Sequence, residues 1–330
     1  MSTLVTTAGI SLAKPDEPNA FKFGKIVGEP VDAYHACSAL SKTKLDVFRD
    51  SPLLFKKRFI TRELSSEKTD ALIVGGAVDT LALEGQKEFN SRYAIEPDDS
   101  PRRPTKAQIA ALKKSPAALE SIDYWTRYDA ENKGKDVLTD KQFALVKRCA
   151  DALHANETFA RFMQFGESQV TFRIPGHRFA LQCRPDRWLE EGCDLTDGMP
   201  CIVDVKTIAE LPADNPDHLA RHIGNFGYHR GAYLYPEIVS TVLKYKSGYR
   251  PPFILALVEK REPHAVLIRV VDQVAIDVGE REVSESLDRL KKCLADNFWP
   301  ESWEAPMSPV SLTSYYVRKS AESVPTNLWG

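Results

Sequence analysis

The chain has 330 residues, 43% of them hydrophobic and 27% charged, with a formal net charge of −2 and a pI near 6.4. This apolar content suffices for one large core or two modest ones. The near-neutral charge argues against a protein that coats nucleic acid non-specifically, but it allows an enzyme with a local basic groove. No apolar run is long enough to span a bilayer, and the N-terminus lacks a basic segment followed by an apolar one. We therefore expect a soluble cytoplasmic protein without a membrane partner.

The six cysteines include no Cys-x-x-Cys pair, and several lie inside apolar runs. They are typical of core or surface thiols in a reducing compartment, rather than of a disulfide framework, a zinc site or an iron–sulfur site. Prolines and a lack of periodicity predict an N-terminal arm over residues 1–30 and a C-terminal tail over residues 301–330. Residues 31–300 between them are predicted to form the folded domain.

Helical periodicity dominates the first half of this domain. Ser41 is placed to cap a short helix that ends near Pro52, and a second helix is predicted over 53–59. The apolar run 73–84 has helical spacing around two glycines and contains Asp79. A lone acid in such a run is usually a helix-start residue or a satisfied buried acid, so spacing alone does not make Asp79 a ligand.

The pattern changes from helical to alternating near the middle of the chain. A proline-rich loop at 96–106 and two helical segments come first, and the second segment opens with a capping-box pattern at Thr139. Alternation then predicts a strand over 167–174, a turn at 175–177 and a second strand over 178–189.

The remaining elements complete a mixed sheet. In chain order they are a connector at 190–200, a strand at 201–207, a helix at 216–234, strands at 252–258 and 265–271, and a closing helix from about Val278. The order of helices and strands predicts an α/β or mixed α+β domain, with a central mixed β-sheet flanked by helices.

Charged residues interrupt the strand at 201–207, which is otherwise apolar. Asp204 and Lys206 are two residues apart and so share one face, and Asp186 ends the preceding apolar run. Charges on a buried strand are costly unless they are paired or bind an ion. The Asp…Asp-x-Lys pattern thus allows two carboxylates to hold a divalent metal with a lysine beside it. An ordinary ion pair is the alternative interpretation.

Several motifs follow one another in a fixed order. They are Tyr34-His35, Leu40-Ser41-Lys-Thr-Lys-Leu45, Ser51-Pro52, Gly75-x-Ala77-x-Asp79-x-x-x-Leu83-Glu84, Glu167, Arg184-Pro-Asp186 and Asp204-Val-Lys206-Thr207. This ordered set, over roughly residues 31–300, resembles the RecE-type (exodeoxyribonuclease VIII-like) exonuclease domain. That domain belongs to the PD-(D/E)xK nuclease superfamily, with the lambda-type exonucleases and RecB nuclease domains. The resemblance implies a restriction-endonuclease-like core and a metal-dependent exonuclease that degrades linear duplex DNA from its ends, 5′ to 3′, in phage or prophage recombination.

The resemblance also implies a site. The expected metal ligands are Asp79, Glu167, Asp186, Asp204 and the backbone carbonyl of Val205, with Asp186, Asp204 and Lys206 as the catalytic set. Mg²⁺ is the expected cofactor and Mn²⁺ its substitute. Asp79 stands where many relatives have a histidine, but a carboxylate also suits Mg²⁺, which prefers oxygen. Lys206 is expected to orient or deprotonate the attacking water, with its pKa pushed downward beside bound cations.

A second departure lies in the helix after the core strand. Relatives usually place a glutamine about where this chain has Gly231, and His229 or Arg230 are candidates to replace it. The residues expected to contact DNA are Ser41, Lys42, Lys44, Arg49, Lys57, His229 and Arg230. The segment around Ser41 allows two interpretations, a helix N-terminus that binds phosphate or a solvated basic turn.

The implied partners are the ends of double-stranded DNA, a single-strand annealing recombination protein and further copies of the chain in a ring-like trimer or tetramer. The implied location is the cytoplasm of a bacterial host cell. Two other functions stay open. One is a structure-selective endonuclease or nickase on the same site, and the other is a catalytically silent DNA- or protein-binding module on the same fold. Gly231 and the acidic net charge favour the silent module.

Overall fold

The computed structural model describes residues 22–65, 68–110, 115–176, 179–211, 216–246, 248–303, 311–312, 314 and 317–318. Its α-helices are α1 Val31–Ala36, α2 Lys42–Asp50, α3 Pro52–Phe55, α4 Asp70–Leu83, α5 Gln86–Arg92, α6 Lys106–Ala110, α7 Pro116–Glu131, α8 Asp140–Ala155, α9 Glu157–Met163, α10 Pro216–Asn225, α11 Tyr228–Leu243 and α12 Gln273–Asp296. Its strands are β1 Gly24–Ile26, β2 Tyr93–Glu96, β3 Asp136–Thr139, β4 Glu167–Ser168, β5 Thr171–Ile174, β6 Leu181–Cys183, β7 Arg187–Leu189, β8 Cys201–Ile208, β9 Phe253–Glu259 and β10 Val266–Val270.

A mixed five-stranded sheet lies at the centre, in the order β10-β9-β8-β7-β4. Strands β8 and β9 run parallel, and the other neighbouring strands pair antiparallel. Two smaller sheets accompany it, β1-β5-β6 and the parallel pair β2-β3. This arrangement confirms the predicted mixed α/β fold with a central sheet.

Each face of the central sheet packs against its own set of helices. On β8, Ile202 belongs to the core formed with α2, α11 and α12, whereas Val203 and Val205 belong to the core formed with α4, α8 and α9. Strand β9 alternates in the same way, with Leu255 on the first side and Ala256 on the second. Because a strand presents successive side chains to opposite faces, the sheet is covered by helices on both sides.

Two of the predicted strands are each divided into two. The segment 178–189 forms β6 and β7, which belong to different sheets, because Pro185 between them has no N–H to continue a ladder. The segment 167–174 forms β4 and β5, separated at Gln169, whose φ is +56°. The predicted hairpin is confirmed, since β5 and β6 pair antiparallel with Phe172 opposite Cys183. Residue 177 of its predicted turn and residue 178 of the second predicted strand lie outside the described residues.

The helices also differ from prediction at their ends. The predicted helix 216–234 is two helices, because Gly227 adopts φ +64° and ends the regular backbone between α10 and α11. The predicted helix 53–59 is α3 followed by a π-helical turn, Lys56–Ile60. The closing helix begins at Gln273, where Asp272 caps it by accepting a hydrogen bond from the Ala275 N–H at 2.8 Å. The capping box at Thr139 is confirmed.

Both terminal segments contribute to the folded part. Strand β1, within the predicted arm, pairs antiparallel with β5, and Glu29 forms an ion pair of 3.0 Å with the buried Arg173. Trp303, within the predicted tail, donates its indole N–H to the Arg49 carbonyl at 2.7 Å and packs edge-on against Phe48. All six cysteines are buried. Across the described ranges, no helix combines the length and apolar character needed to cross a membrane.

Candidate active site

Two aspartates meet where β7 joins β8. Arg187 pairs with Val203 in the antiparallel register, so Asp186, one residue before β7, comes opposite Asp204. The Val205 N–H donates to Asp186 Oδ2 at 2.8 Å, which fixes that carboxylate against the strand. Both aspartates are almost fully buried, at 9% and 6% exposure. Neighbouring strands thus hold two carboxylates together inside the protein, as the sequence pattern predicted.

Lys206 projects into the same cluster, on the face that it shares with Asp204. Its Nζ lies 2.6 Å from Asp204 Oδ2, 3.7 Å from Asp186 Oδ2 and 2.8 Å from the Val205 carbonyl oxygen. Burial lowers the pKa of Lys206, but the carboxylates of Asp204, Asp186 and Asp79 outweigh burial and raise it above its ordinary value. The amine is therefore protonated in the metal-free protein, whereas the lowering expected from the sequence presupposed bound cations.

Asp79 brings a third carboxylate from helix α4. The helix packs closely on β8, because a Cβ on Gly75 would lie 3.5 Å from Thr207 Oγ1. Burial, followed by the charge of Asp186, raises the pKa of Asp79 well above its ordinary range, and Lys206 only partly opposes this. Asp79 Oδ1 is buried without a hydrogen-bond partner among the described residues. A buried carboxylate oxygen without a partner is costly, which is expected where a cation is to be bound.

Gln169 positions Asp186, and sequence reasoning did not identify it. Its amide Nε2 donates to Asp186 Oδ1 at 3.1 Å, and its Oε1 accepts from Arg184 Nε at 3.0 Å. Arg184 in turn donates to the Glu29 carbonyl oxygen at 2.8 Å. A single glutamine between two short strands gives no signal in the sequence. Its contact with Asp186 depends on the left-handed backbone at that position.

The donor chemistry of the cluster fits a hard divalent cation. Asp79, Asp186, Asp204 and the Val205 carbonyl offer only oxygen atoms, which Mg²⁺ and Mn²⁺ accept. Among the described residues, no three His, Cys, Asp or Glu side chains are arranged as ready metal ligands. The Lys206 ammonium instead contacts the oxygens of Asp204 and Val205. One ammonium beside the carboxylates of Asp186 and Asp204 leaves negative charge that a cation would neutralise.

Glu167, the other predicted acidic ligand, lies elsewhere. It pairs across β4 and β7 with Trp188, and its carboxylate forms an ion pair of 2.6 Å with Lys25. Lys25 also contacts Glu190 at 2.7 Å. The structure therefore joins Glu167 to β1 rather than to the aspartates, and its role as a ligand stays a prediction.

Four of the residues predicted to bind DNA surround two acids between α2, α11 and α12. Asp46 and Glu282 are the acids, and the basic residues around them are Lys42, Arg49, His229 and Arg230. Arg230 bridges both acids, with contacts of 2.7 Å to each. His229 and Arg230 thus face Glu282 and do not contact Asp186 or Asp204. At Gly231 an added Cβ would meet only Phe253, at 3.8 Å.

The other predicted DNA contacts lie at a cavity of about 420 Å³ or close to it. Its basic lining residues are His35, Lys44, Arg58 and Arg62. Lys44 is buried and donates to the carbonyls of Cys37 and Ala39, and burial lowers its pKa to about 8. Arg58 Nε is buried without a partner among the described residues. Ser41 caps α2 by accepting from the Lys44 N–H, and Lys57 lies half-buried in the adjoining π-helical turn.

A helix-covered mixed sheet that brings Asp186, Asp204 and Lys206 together defines the class of the protein, a PDDEXK-like nuclease fold. The family model described as "PDDEXK-like domain of unknown function (DUF3799)" matches residues 41–305, well over half of the chain. The chain belongs to this family. The superfamily predicted from the sequence is thereby confirmed.

One solved structure agrees with this assignment at the level of the fold. A crystal structure from Eubacterium rectale, named "Putative exonuclease", superposes with a TM-score of 0.54 at 14% sequence identity, covering 90% of this chain and 100% of that chain. A second structure, of SSO0001, gives a TM-score of 0.24 at 13% identity, covering 78% of this chain and 84% of that chain. No curated protein matches the chain.

Proposed function

We propose that this protein is a Mg²⁺-dependent exodeoxyribonuclease that degrades linear double-stranded DNA from its ends in the 5′-to-3′ direction, with Mn²⁺ as a substitute cofactor. The observation that carries the proposal is the contact of Asp186 and Asp204 with Lys206 in one buried cluster, with Asp79 near enough for the charge of Asp186 to raise its pKa. A structural ion pair needs one acid for one base. Two acids in contact with one lysine, and a third nearby whose pKa is raised, are more acids than an ion pair needs, which suits a metal-dependent hydrolase.

Each group has a role in this chemistry. The three carboxylates and the Val205 carbonyl would hold the metal, which when bound supplies an acidified water and neutralises phosphate charge. Lys206, protonated and within 2.6 Å of Asp204, orients the attacking water and offsets the charge that develops on the phosphate. Gln169 holds one oxygen of Asp186 and the Val205 N–H holds the other, so this carboxylate is presented in a fixed orientation.

The basic cavity supports a DNA end as substrate. Arg58, Arg62 and Lys44 line it, and charge-assisted contacts to phosphate oxygens would satisfy the buried Arg58 Nε. By contrast, Lys42, Arg49 and Arg230 are already paired with Asp46 or Glu282. We therefore place the phosphate contacts of the DNA end at the cavity, with Lys42, Arg49 and Arg230 contributing less to phosphate binding.

The experiment compares purified wild-type protein with Asp204→Ala and Lys206→Ala on end-labelled linear duplex and on covalently closed circular DNA, with and without Mg²⁺. Asp288→Ala, an exposed acid far along α12, is the control. We expect both site variants to lose about 100-fold or more of the Mg²⁺-dependent activity while remaining folded, which circular dichroism checks. Digestion at the wild-type rate by both variants would show that the site is wrong. Cleavage of the closed circle would favour the endonuclease.

The biological setting is also part of the proposal. We propose that the protein acts in phage or prophage recombination in the bacterial cytoplasm. Its partners there would be a single-strand annealing recombination protein and further copies of the chain, which would form a ring. Duplexes ending in 5′ phosphate or 5′ hydroxyl provide the test of end recognition. A preference for the phosphate that disappears in Arg58→Ala would support the cavity as the end site.

A further inference from the structure

The turn between α10 and α11 carries an aromatic group that the proposed reaction does not use. Phe226 is 56% exposed, and its ring lies 4.4 Å from the ring of His222 and 5.9 Å from that of Tyr228, both as centroid distances. The Phe226 and Tyr228 rings are inclined by only 28°. Single exposed hydrophobic residues are common, but here three rings form one continuous surface.

The turn is held rigidly in place. The Phe226 N–H donates to the His222 carbonyl at 3.0 Å, and its own carbonyl accepts from Lys42 Nζ at 2.8 Å. Gly227 adopts φ +64°, and a Cβ there would overlap the Arg230 side chain. Leu219 and Ile223 of α10 pack onto the core next to α11. The ring of Phe226 is thus presented to solvent by a fixed backbone, which lowers the entropy cost of binding.

The aromatic surface begins beside the proposed catalytic amine. Lys206 Nζ and Lys42 Nζ each lie 5.8 Å from the centre of the Tyr228 ring. From Tyr228 the rings continue outward to Phe226. Burial and the charges of His218 and Lys260 lower the pKa of His222, so its ring is neutral at neutral pH. A chain of aromatic rings therefore starts at the acid cluster and ends in solvent.

We propose that Phe226, supported by His222 and Tyr228, stacks on an unpaired nucleobase next to the scissile phosphate. Exposed aromatic rings bind single-stranded nucleic acid, because every base has a face for stacking. In a duplex each base face is covered by its neighbours, so this surface selects a nucleotide that has left the stack. This inference rests on the proposed nuclease function and adds that the strand is separated at the site before it is cut.

The test is a binding measurement that needs no cleavage. Wild type, Phe226→Ala, Phe226→Leu and Phe226→Trp are titrated without metal against single-stranded oligonucleotides that carry a 2-aminopurine, and against the same oligonucleotides with an abasic nucleotide in its place. Phe298→Ala is the matched control, since Phe298 is also a largely exposed phenylalanine, at 67%. Phe226 is solvent-exposed, so all variants are expected to fold, and thermal unfolding checks this.

We expect Phe226→Ala and Phe226→Leu to weaken binding about 5- to 150-fold and to abolish the quenching of 2-aminopurine, while Phe226→Trp and Phe298→Ala bind like wild type. On the abasic oligonucleotide, wild type should fall to the affinity of Phe226→Ala. Equal affinity of wild type and Phe226→Ala for both oligonucleotides would overturn the stacking proposal. If Phe226→Ala changes only the oligomeric state in sedimentation, the surface joins copies of the chain and the proposal is also wrong. Binding by wild type with no effect of Phe226, or no binding at all, overturns the stacking proposal alone, because the nuclease function is tested separately on duplex DNA with Mg²⁺.

Discussion

Asp186 makes the metal-free protein more stable at mildly acidic pH than at neutral pH. Burial raises its pKa from the ordinary 3.8 to about 6, with Lys206 opposing this rise and Asp204 adding to it. Because the folded pKa lies above the unfolded one, ionisation at neutral pH costs folding free energy, and this cost is relieved as the pH falls through 6 towards 4. Asp79, whose pKa burial and Asp186 also raise, contributes with the same sign.

The magnitude follows from the two pKa values of Asp186. A pKa of about 6 in place of 3.8 corresponds to about 3 kcal/mol in full. Between pH 7.5 and pH 5 the folded carboxyl takes up most of a proton while the unfolded one stays ionised, which recovers about 1.4 kcal/mol. At about 2.1 cal/mol/K of unfolding entropy per residue, a chain of 330 residues would then melt about 2 °C higher at pH 5 through this group alone.

The assay is urea unfolding in EDTA at both pH values, for wild type and Asp186→Asn. The lost contacts of the asparagine variant affect both pH values equally, so they cancel in the difference. When the pH is lowered from 7.5 to 5, the free energy of unfolding of wild type should increase by about 1.4 kcal/mol more than that of Asp186→Asn. With saturating Mg²⁺ the excess should vanish, because a bound cation requires ionised carboxylates. If the free energy of unfolding in EDTA increases as much for the variant as for wild type, Asp186 is not the titrating group and the electrostatic account of the cluster is wrong.

Two further substitutions test the packing that holds the site. Glu29→Ala should destabilise the protein by about 3 kcal/mol in urea unfolding, because the buried Arg173 guanidinium loses the negative charge that it pairs with. Glu29→Gln keeps a hydrogen-bond acceptor and should lose clearly less stability. Equal losses in the two variants would contradict the charge argument. Gly279→Ala should destabilise by about 1–3 kcal/mol despite the better helix propensity of alanine, since its Cβ would lie 2.3 Å from the His229 carbonyl. Gly224→Ala is the control, because nothing lies within 4 Å of its new Cβ, and it should be as stable as wild type or more stable. An equal loss of stability in Gly279→Ala and Gly224→Ala would mean that helix backbone effects dominate.

The acids and the lysine could be predicted from the sequence because their signal is local. Asp204 and Lys206 interrupt an apolar strand, and their spacing of two residues places them on the same face. Asp186 follows another apolar run, next to the segment that pairs with this strand. The division of segment 178–189 at Pro185 could also have been predicted, because proline has no N–H to continue the hydrogen bonds between strands. The sequence-based interpretation missed it because the alternating pattern continues on both sides of the proline.

The role of Gln169 and the burial of Lys44 could not be predicted in this way. Gln169 reaches Asp186 only because its backbone turns left-handed between two short strands. Lys44 follows a capping serine in sequence, which suggests a solvent-facing charge, yet it folds inward onto the Cys37 and Ala39 carbonyls. Strand β1 is three residues long and gains its stability from pairing with β5. Each of these depends on a partner distant in sequence.

The distribution of charge in the fold accounts for a nuclease-like site in a chain with a net charge of only −2. The cluster of Asp79, Asp186 and Asp204 holds more negative charge than Lys206 can neutralise, so it calls for a cation. The arginines and lysine around Asp46 and Glu282 are neutralised by those acids and instead fix α11 against α2 and α12. What is left for a polyanion is the cavity lined by Arg58 and Arg62. Affinity for DNA should therefore depend on a few local contacts and decline only modestly as salt is added, because few phosphates are neutralised.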